Sequence, residues 1–195
     1  MPFGKILFMR KLIFQEFLSL DGYAADKDHS TKFFESPEYS KDSDDDLLSE
    51  MNRFDNILLG ANTYKMFAGF WPAATNDEQI VADKLNSIPK IVFSTTLKEA
   101  PWGRWEPAKI ESGDVVKAVT QLKKQTGKDL VLWGSISLAQ DLMKANLIDE
   151  YQLRIVPVLL GNGTLLFKKR DELQLELIKI KSYDSGLLLV HYKPK

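Results

Sequence analysis

A chain of 195 residues with 44% hydrophobic and 27% charged residues has the balance of a folded globular domain, large enough for a sizeable core and too apolar to stay disordered. Its 26 basic and 27 acidic residues give a net charge of -1 with no Lys/Arg cluster, which argues against a nucleic-acid partner. The absence of cysteine excludes disulfides, thiol catalysis and cysteine-based zinc sites, and makes a reducing compartment, the cytoplasm, the expected location.

The opening MPFGKILFMRKLIF has neither a long apolar stretch nor a small-residue cleavage site, so no signal peptide is expected. Met9 is the expected natural start, with residues 1–8 an extension of a single domain over 9–195. Every later apolar run is too short for a bilayer, so no membrane is expected as partner. Leu12 to Leu18 reads as a buried strand that ends in the turn pair Asp21-Gly22. Ser43 and Asp46 read as a capping box before Leu47, Met51 and Phe54 on one helical face. Asn56 to Leu59 is a strand stopped by Gly60, and a helix starts at Thr63. Thr75 and Glu78 form a second capping box before Val81, Leu85 and Ile88; Pro89 closes that helix and Lys90 to Ser94 is a strand. Trp102, Gly103 and Trp105 read as a surface cover.

Asp114 caps the next helix, with Val115, Val119 and Leu122 inward and Gly127 at its end. Leu130 to Trp133 is a strand broken by Gly134, Leu138, Leu142 and Ala145 mark an amphipathic helix, and Tyr151 to Val158 is a strand. In the tail Leu173, Leu175 and Leu177 alternate, and then the phase slips to Ile178 and Ile180. Ser185-Gly186 next turns the chain into Leu187 to Tyr192, which predicts an antiparallel hairpin with a bulge. Strands alternating with helices imply a mostly parallel sheet covered on both faces.

Ligands of such sheets collect at the carboxyl ends of strands, where helix N-termini offer free N–H groups. Gly60-Ala61-Asn62-Thr63-Tyr64, Ser94-Thr95-Thr96 and Gly134-Ser135-Ile136-Ser137 each combine a small residue with a hydroxyl at such an end. The same residues are also ordinary turns and caps, and neither GxGxxG nor GxxxxGK[ST] occurs. Phe67, Phe70 and Trp71 suit either the wall of a pocket for a flat heterocycle or a helix end packed on the sheet. Asp21 is a candidate proton donor and equally a turn residue, whereas Asp44, Asp45 and Asp46 are explained by a helix start. His29 and His191 lie far apart with no third ligand, so no metal is expected. Leu159, Leu160, Leu165, Leu166 and Phe167 put more apolar surface into a glycine-broken segment than a turn needs, which points to a homodimer.

Taken in order, Ser19-Leu20-Asp21-Gly22, Leu58 to Tyr64, Leu132-Trp133-Gly134-Ser135, and Leu147-Ile148-Asp149-Glu150 running to Gly161-Asn162-Gly163 resemble the signatures of one family. It is the reductase domain at the C-terminus of the bifunctional riboflavin-biosynthesis deaminase-reductase, with its stand-alone dihydrofolate-reductase-like relatives. The resemblance runs from about Lys11 onward and implies a dihydrofolate-reductase-like three-layer α/β fold, its mixed eight-strand sheet parallel except for the final hairpin strand. It further implies NADPH, or NADH, with Ser19 and Gly22 near the nicotinamide and Gly60, Asn62 and Thr63 at a helix start. Gly134, Ser135, Ile136 and Ser137 would face the pyrophosphate, and Ser94, Thr95 and Thr96 the adenosine 2'-phosphate. Homodimers are common in the family.

Four positions depart from its pattern. Ala61 replaces an Arg, which weakens the case for NADPH over NADH, and Ser135 replaces a second Gly. Gln15 and Phe67 replace a Lys and an Asp, removing a cation for a phosphorylated ribose and a carboxyl for protonation. The expectation is therefore an NAD(P)H-dependent reductase of a small pterin- or pyrimidine-like heterocycle, with Gln15, Phe67, Phe70 and Trp71 in the substrate pocket and Asp21 as acid. Reduction of 5-amino-6-(5-phosphoribosylamino)uracil and a non-catalytic nucleotide-binding role remain alternatives.

Overall fold

The computed structural model describes residues 9–168 and 172–195, so the expected extension, 1–8, lies outside the described residues. Its strands are β1 (Leu12–Ser19), β2 (Tyr23–Ala25), β3 (Phe54–Gly60), β4 (Lys90–Phe93), β5 (Lys109–Glu111), β6 (Asp129–Trp133), β7 (Glu150–Val156), β8 (Thr164–Leu165), β9 (Leu175–Ser182) and β10 (Leu188–Pro194). The helices are α1 (Pro37–Glu50), α2 (Ala61–Ala68), α3 (Ala82–Ser87), α4 (Val115–Lys124) and α5 (Ile136–Lys144).

Eight strands form one sheet in the order β5-β4-β3-β6-β1-β7-β10-β9, and β2 pairs with β8 beside it. Within the large sheet only β10 runs against its neighbours, as the family resemblance implies. Leu12, Ile13 and Phe14 of β1 are fully buried because helices cover both faces, which is why the strand reads as an unbroken apolar run. Leu12, Phe14, Leu130, Leu132, Leu138 and Leu142 fill the layer under α4 and α5. Ile13, Ile57, Leu59, Val131, Leu85 and Trp102 fill the opposite one, under α1 to α3. The tail carries the expected bulge: His191 pairs with Lys179 and Tyr192 with Leu177, leaving Ile178 as the extra residue. Among the described residues no helix is long and apolar enough to cross a membrane.

Several local expectations are corrected. Helix α1 begins at Pro37, behind Ser36, with proline in its first turn where a missing N–H costs nothing. Ser43 is therefore mid-helix and buried, donating to the Tyr39 carbonyl at 2.7 Å, while Asp42 and Asp46 reach Ser185, Lys181 and Tyr183 of the hairpin. Phe54 opens β3 rather than extending a helix. Glu78 accepts from the Thr75 N–H at 3.2 Å, yet regular helix starts only at Ala82. Trp102 is no surface cover, for it is fully buried with its indole N–H donated to Asn86 at 2.7 Å. Asp114 does cap α4, accepting from the Lys117 N–H at 3.0 Å.

Candidate functional site

Strands β4, β3, β6 and β1 are parallel neighbours, so their carboxyl ends meet along one edge of the sheet. Helix α2 starts directly after β3, and α5 starts after a two-residue link from β6. Gly134 and Ser135 link β6 to α5 with φ of 54° and 59°, a left-handed conformation that costs a serine about 1–2 kcal/mol. Three hydrogen bonds offset that cost. The Ser135 N–H donates to Thr63 Oγ1 at 3.0 Å, while its Oγ accepts from the Gly60 N–H at 2.6 Å and donates to the Trp133 carbonyl at 3.2 Å.

That hydroxyl is consequently spent on tying two strand ends together and does not cap its own helix. Neither α2 nor α5 has a side-chain cap, so two adjacent helix starts present unpaired first-turn N–H groups and positive dipole ends. Glycine suits position 134: a Cβ would lie 3.1 Å from Thr63 Cγ2, so a side chain there requires Thr63 to give by a few tenths of an ångström, in addition to the strain of the positive φ.

The structure thus brings Gly60, Thr63, Gly134 and Ser135 into contact. Asn62 and Ser137 are exposed on the two first turns, and Ile136 is half-buried. Ser94, Thr95 and Thr96 follow β4 on the same edge, with Ser94 Oγ accepting from the Thr96 and Leu97 N–H groups at 3.2 and 3.1 Å. At the end of β1, Ser19 is buried, accepts from the Tyr23 N–H at 2.9 Å and donates to Asp21 at 2.7 Å, while Gly22 supplies a φ of 86°.

Asp21 does not have the environment of a proton donor. Its carboxylate accepts from Ser19, from the Leu160 N–H at 3.1 Å and from the Gly161 N–H at 2.7 Å, and these bonds hold it below the usual carboxylate range. It is ionised at neutral pH and clamps the loop after β7 to the β1–β2 turn. Two other carboxyls have the opposite character, and sequence reasoning singled out neither as a candidate. Burial pushes Glu16 up to about 8; its Oε1 accepts from the Phe17 N–H at 2.9 Å, and its Oε2 lies 3.8 Å from where a Gly134 Cβ would sit. Burial also pushes Asp44, on α1, up to about 6, a rise that Arg154 opposes and Asp45 adds to. A charge inside the apolar run of β1 was a legible signal for Glu16. Asp44 gave none, because it looked like part of a helix start.

On the α1 face of the sheet, Gln15 is buried and its amide is fully engaged. It donates to Glu50 at 3.1 Å and to Gln152, and accepts from the Trp133 indole N–H. Phe67 lies 6.2 Å from both Trp133 and Trp71, and Phe70 meets Trp71 edge-on at 5.1 Å. Gln15 therefore positions Trp133 in an aromatic row rather than offering a free polar group. Phe17, on the same face, stacks on Phe34 at 4.6 Å, with the Arg154 guanidinium 5.6 Å from its ring. Arg154 is itself buried; its nearest carboxylate, Glu50, is 3.9 Å away, and its Nε and Nη2 have no hydrogen-bond partner among the described residues. No group of three metal-binding side chains occurs among the described residues. Two surface cavities of about 330 and 400 Å³, lined by residues such as Lys109 and Lys117 or Lys98 and Ile110, lie by β4 and β5. Neither reaches the residues above, so chemistry rather than room marks the site.

The family model described as the RibD C-terminal domain matches residues 10–189. The Bacillus subtilis (strain 168) protein YyaP, itself uncharacterised, is 27% identical over 186 residues, 94% of each chain. A candidate riboflavin biosynthesis protein from Shewanella sp. PV-4 superposes with a TM-score of 0.77 at 27% identity, over 95% of this chain and 99% of that one. The Enterococcus faecalis dihydrofolate reductase, solved with NADP(H), has a TM-score of 0.61 at 12% identity over 96% of this chain and 98% of that one, a likeness of fold.

Proposed function

The chain belongs to the RibD C-terminal domain family, and on that premise we propose that it is a reductase using a pyridine dinucleotide, NADPH or NADH, to reduce a small flat nitrogen heterocycle. The observation that carries this reading is the pair of uncapped helix starts joined through Ser135. A diphosphate needs convergent N–H donors, a close backbone approach and no opposing charge. The first-turn amides of α2 and α5 fit the first need and Gly134 the second. Glu16 meets the third as long as it is neutral, which its burial favours at pH 7.

When bound, the dihydronicotinamide supplies a hydride. The remaining tasks fall to the chain's own residues. Phe67 and Trp71, half-buried beside the buried Trp133, are the aromatic surface assigned here to a flat ring. Asp44, half-buried on α1 with burial raising its carboxyl to about 6, is the group we propose as proton donor; Arg154 favours its ionised form once the proton has left. Position 15 offers no cation and position 67 no carboxyl, so the reading is a heterocycle without a phosphorylated ribose. Titration of NADPH and NADH by tryptophan quenching, followed by a screen of reducible pterins and pyrimidines for loss of dihydronicotinamide absorbance, tests it. Saturable quenching and turnover of at least one ring are expected, and no response to either dinucleotide refutes the reading.

The same premise extends to assembly as a homodimer. Leu165, Phe167, Ile178 and Ile180 are between 38% and 60% exposed, and Leu159 is 70% exposed, whereas Leu166, expected beside them on the surface, is fully buried in the core. A two-fold interface meets its own copy, so a new charge in it is felt from both sides. Leu165→Lys is expected to shift a dimer toward monomer in light scattering, while Leu166→Lys is expected to cost folded protein instead. A wild-type monomer at micromolar concentration rules the dimer out.

A further inference from the structure

Arg154 lies on β7, opposite Phe17 of β1 and Leu189 of β10, and is only 2% exposed. Its guanidinium looks onto the Phe17 ring at 5.6 Å, and the ionisable groups that feel its charge are Glu50 and Asp44 of α1 and Tyr183 of the hairpin. None of them accepts from Nε or Nη2, which are both buried and have no partner among the described residues. Glu50 stands off at 3.9 Å: its Oε2 accepts from Gln15 at 3.1 Å, and its Oε1 faces His191 Nε2 at 3.2 Å. The Tyr183 hydroxyl is donated to Asp46 at 2.6 Å. A buried arginine that serves the fold alone is normally bonded through its donors. Here the Nε–H and the adjacent Nη2–H leave the planar group side by side, forming the fork with which arginine takes a carboxylate.

We infer that Arg154 is a substrate contact whose Nε–Nη2 fork holds a carboxylate carried on the heterocycle, so that the preferred substrate is an acidic ring. The ring is taken from the reductase reading above; the fork is not. Position supports the assignment, because Arg154 shares a face of the sheet with the aromatic residues: β6 with Trp133 and β7 with Arg154 flank β1, whose Gln15 and Phe17 lie between them. Phe17, Asp44 and Tyr183 beside the guanidinium are half-buried, so their side chains reach the surface where a ring enters. A carboxylate on the fork gives both unmet donors an acceptor and sets an opposite charge directly on a cation that Glu50 meets only at a distance.

The test is calorimetry at about pH 7.5, where ring carboxylates are ionised, comparing orotate and pterin-6-carboxylate with uracil and pterin, each with and without NADPH. Wild-type protein is expected to bind a carboxylated ring at least roughly tenfold tighter than its parent ring. Arg154→Gln is expected to abolish that preference, and Arg154→Lys, which keeps the charge without the fork, to retain only a few fold of it. Melting curves show whether the variants fold, and the wild-type ratio decides alone where they do not. Acetate is added as a competitor and is expected to displace the ring only far above the ring's own concentration. Equal potency of acetate would mean an adventitious ion only and overturn the inference. So would equal or absent binding of carboxylated and parent rings to the wild type, a preference that survives Arg154→Gln, or one that is complete in Arg154→Lys. Dinucleotide binding without a carboxylate preference overturns this inference and leaves the reductase reading standing. An Arg154-dependent preference in a protein that binds neither NADPH nor NADH does the reverse.

Discussion

Gly134→Asp is expected to weaken pyridine dinucleotide binding by about a hundredfold in a protein that still folds. Aspartate is among the side chains that best tolerate the left-handed region, so the φ of 54° costs it roughly 1 kcal/mol, and Thr63 Cγ2, 3.1 Å from the new Cβ, has to give by a few tenths of an ångström. The binding effect is larger. Two unit charges about 5 Å apart at an effective dielectric near 20 repel by roughly 3 kcal/mol, which is about two decades in Kd. Gly134→Asn separates crowding from charge, because it has the same shape without the carboxylate and is expected to lose only a few fold. Tryptophan quenching with thermal melts as a folding control reads both. Equal losses in the two variants would make the effect steric, and unchanged affinity in a folded Gly134→Asp protein would remove the diphosphate from this junction.

Why these positions were legible, and others not, follows from the range over which each signal acts. Leu12 to Leu18 and Leu130 to Trp133 announce themselves because strands of a parallel sheet are buried on both faces. The bulge shows as the phase slip at Ile178. In contrast, β2, β5 and β8 have two or three residues each, too few for any period, and β5 is a half-exposed edge. At the start of α1, the pair Ser43 and Asp46 imitates a cap, while the actual start at Ser36 and Pro37 lies in a polar stretch without periodicity.

The site divides in the same way. Gly60, Thr63, Gly134 and Ser135 could be picked out locally, as small or hydroxylated residues at strand ends. That Ser135 is spent on Gly60, 75 positions earlier, and so leaves α5 uncapped is a tertiary fact. Proton affinity is tertiary too. Asp21 loses its candidacy to N–H donors from Leu160 and Gly161, about 140 residues away, whereas Glu16 and Asp44 gain theirs from burial by elements the chain reaches only on folding.

Asp44→Asn is expected to lower kcat by about 10²–10⁴-fold on whichever heterocycle is reduced, with dinucleotide affinity unchanged, and at the same time to stabilise the fold above neutral pH. The two effects share one cause. Burial on α1 pushes the Asp44 carboxyl from its ordinary 3.8 up to about 6, so the folded protein binds that proton more tightly than the unfolded chain does. The stabilisation from this preference is fully present below about pH 4 and is lost as the pH rises through about 6, after which the ionised group weighs on the native state. A shift of that size corresponds to at most roughly 3 kcal/mol, and because the side chain keeps some access to solvent, about 1–2 kcal/mol is the expected burden. Asparagine never ionises. Its melting temperature should therefore exceed that of the wild type at about pH 8 and match it at about pH 4, while activity is low at both. A residue that served only the helix dipole would behave differently, since replacing it by asparagine would be neutral or mildly destabilising at every pH above its ionisation. A melting difference that does not change with pH, or full turnover by Asp44→Asn, would remove Asp44 as the proton donor.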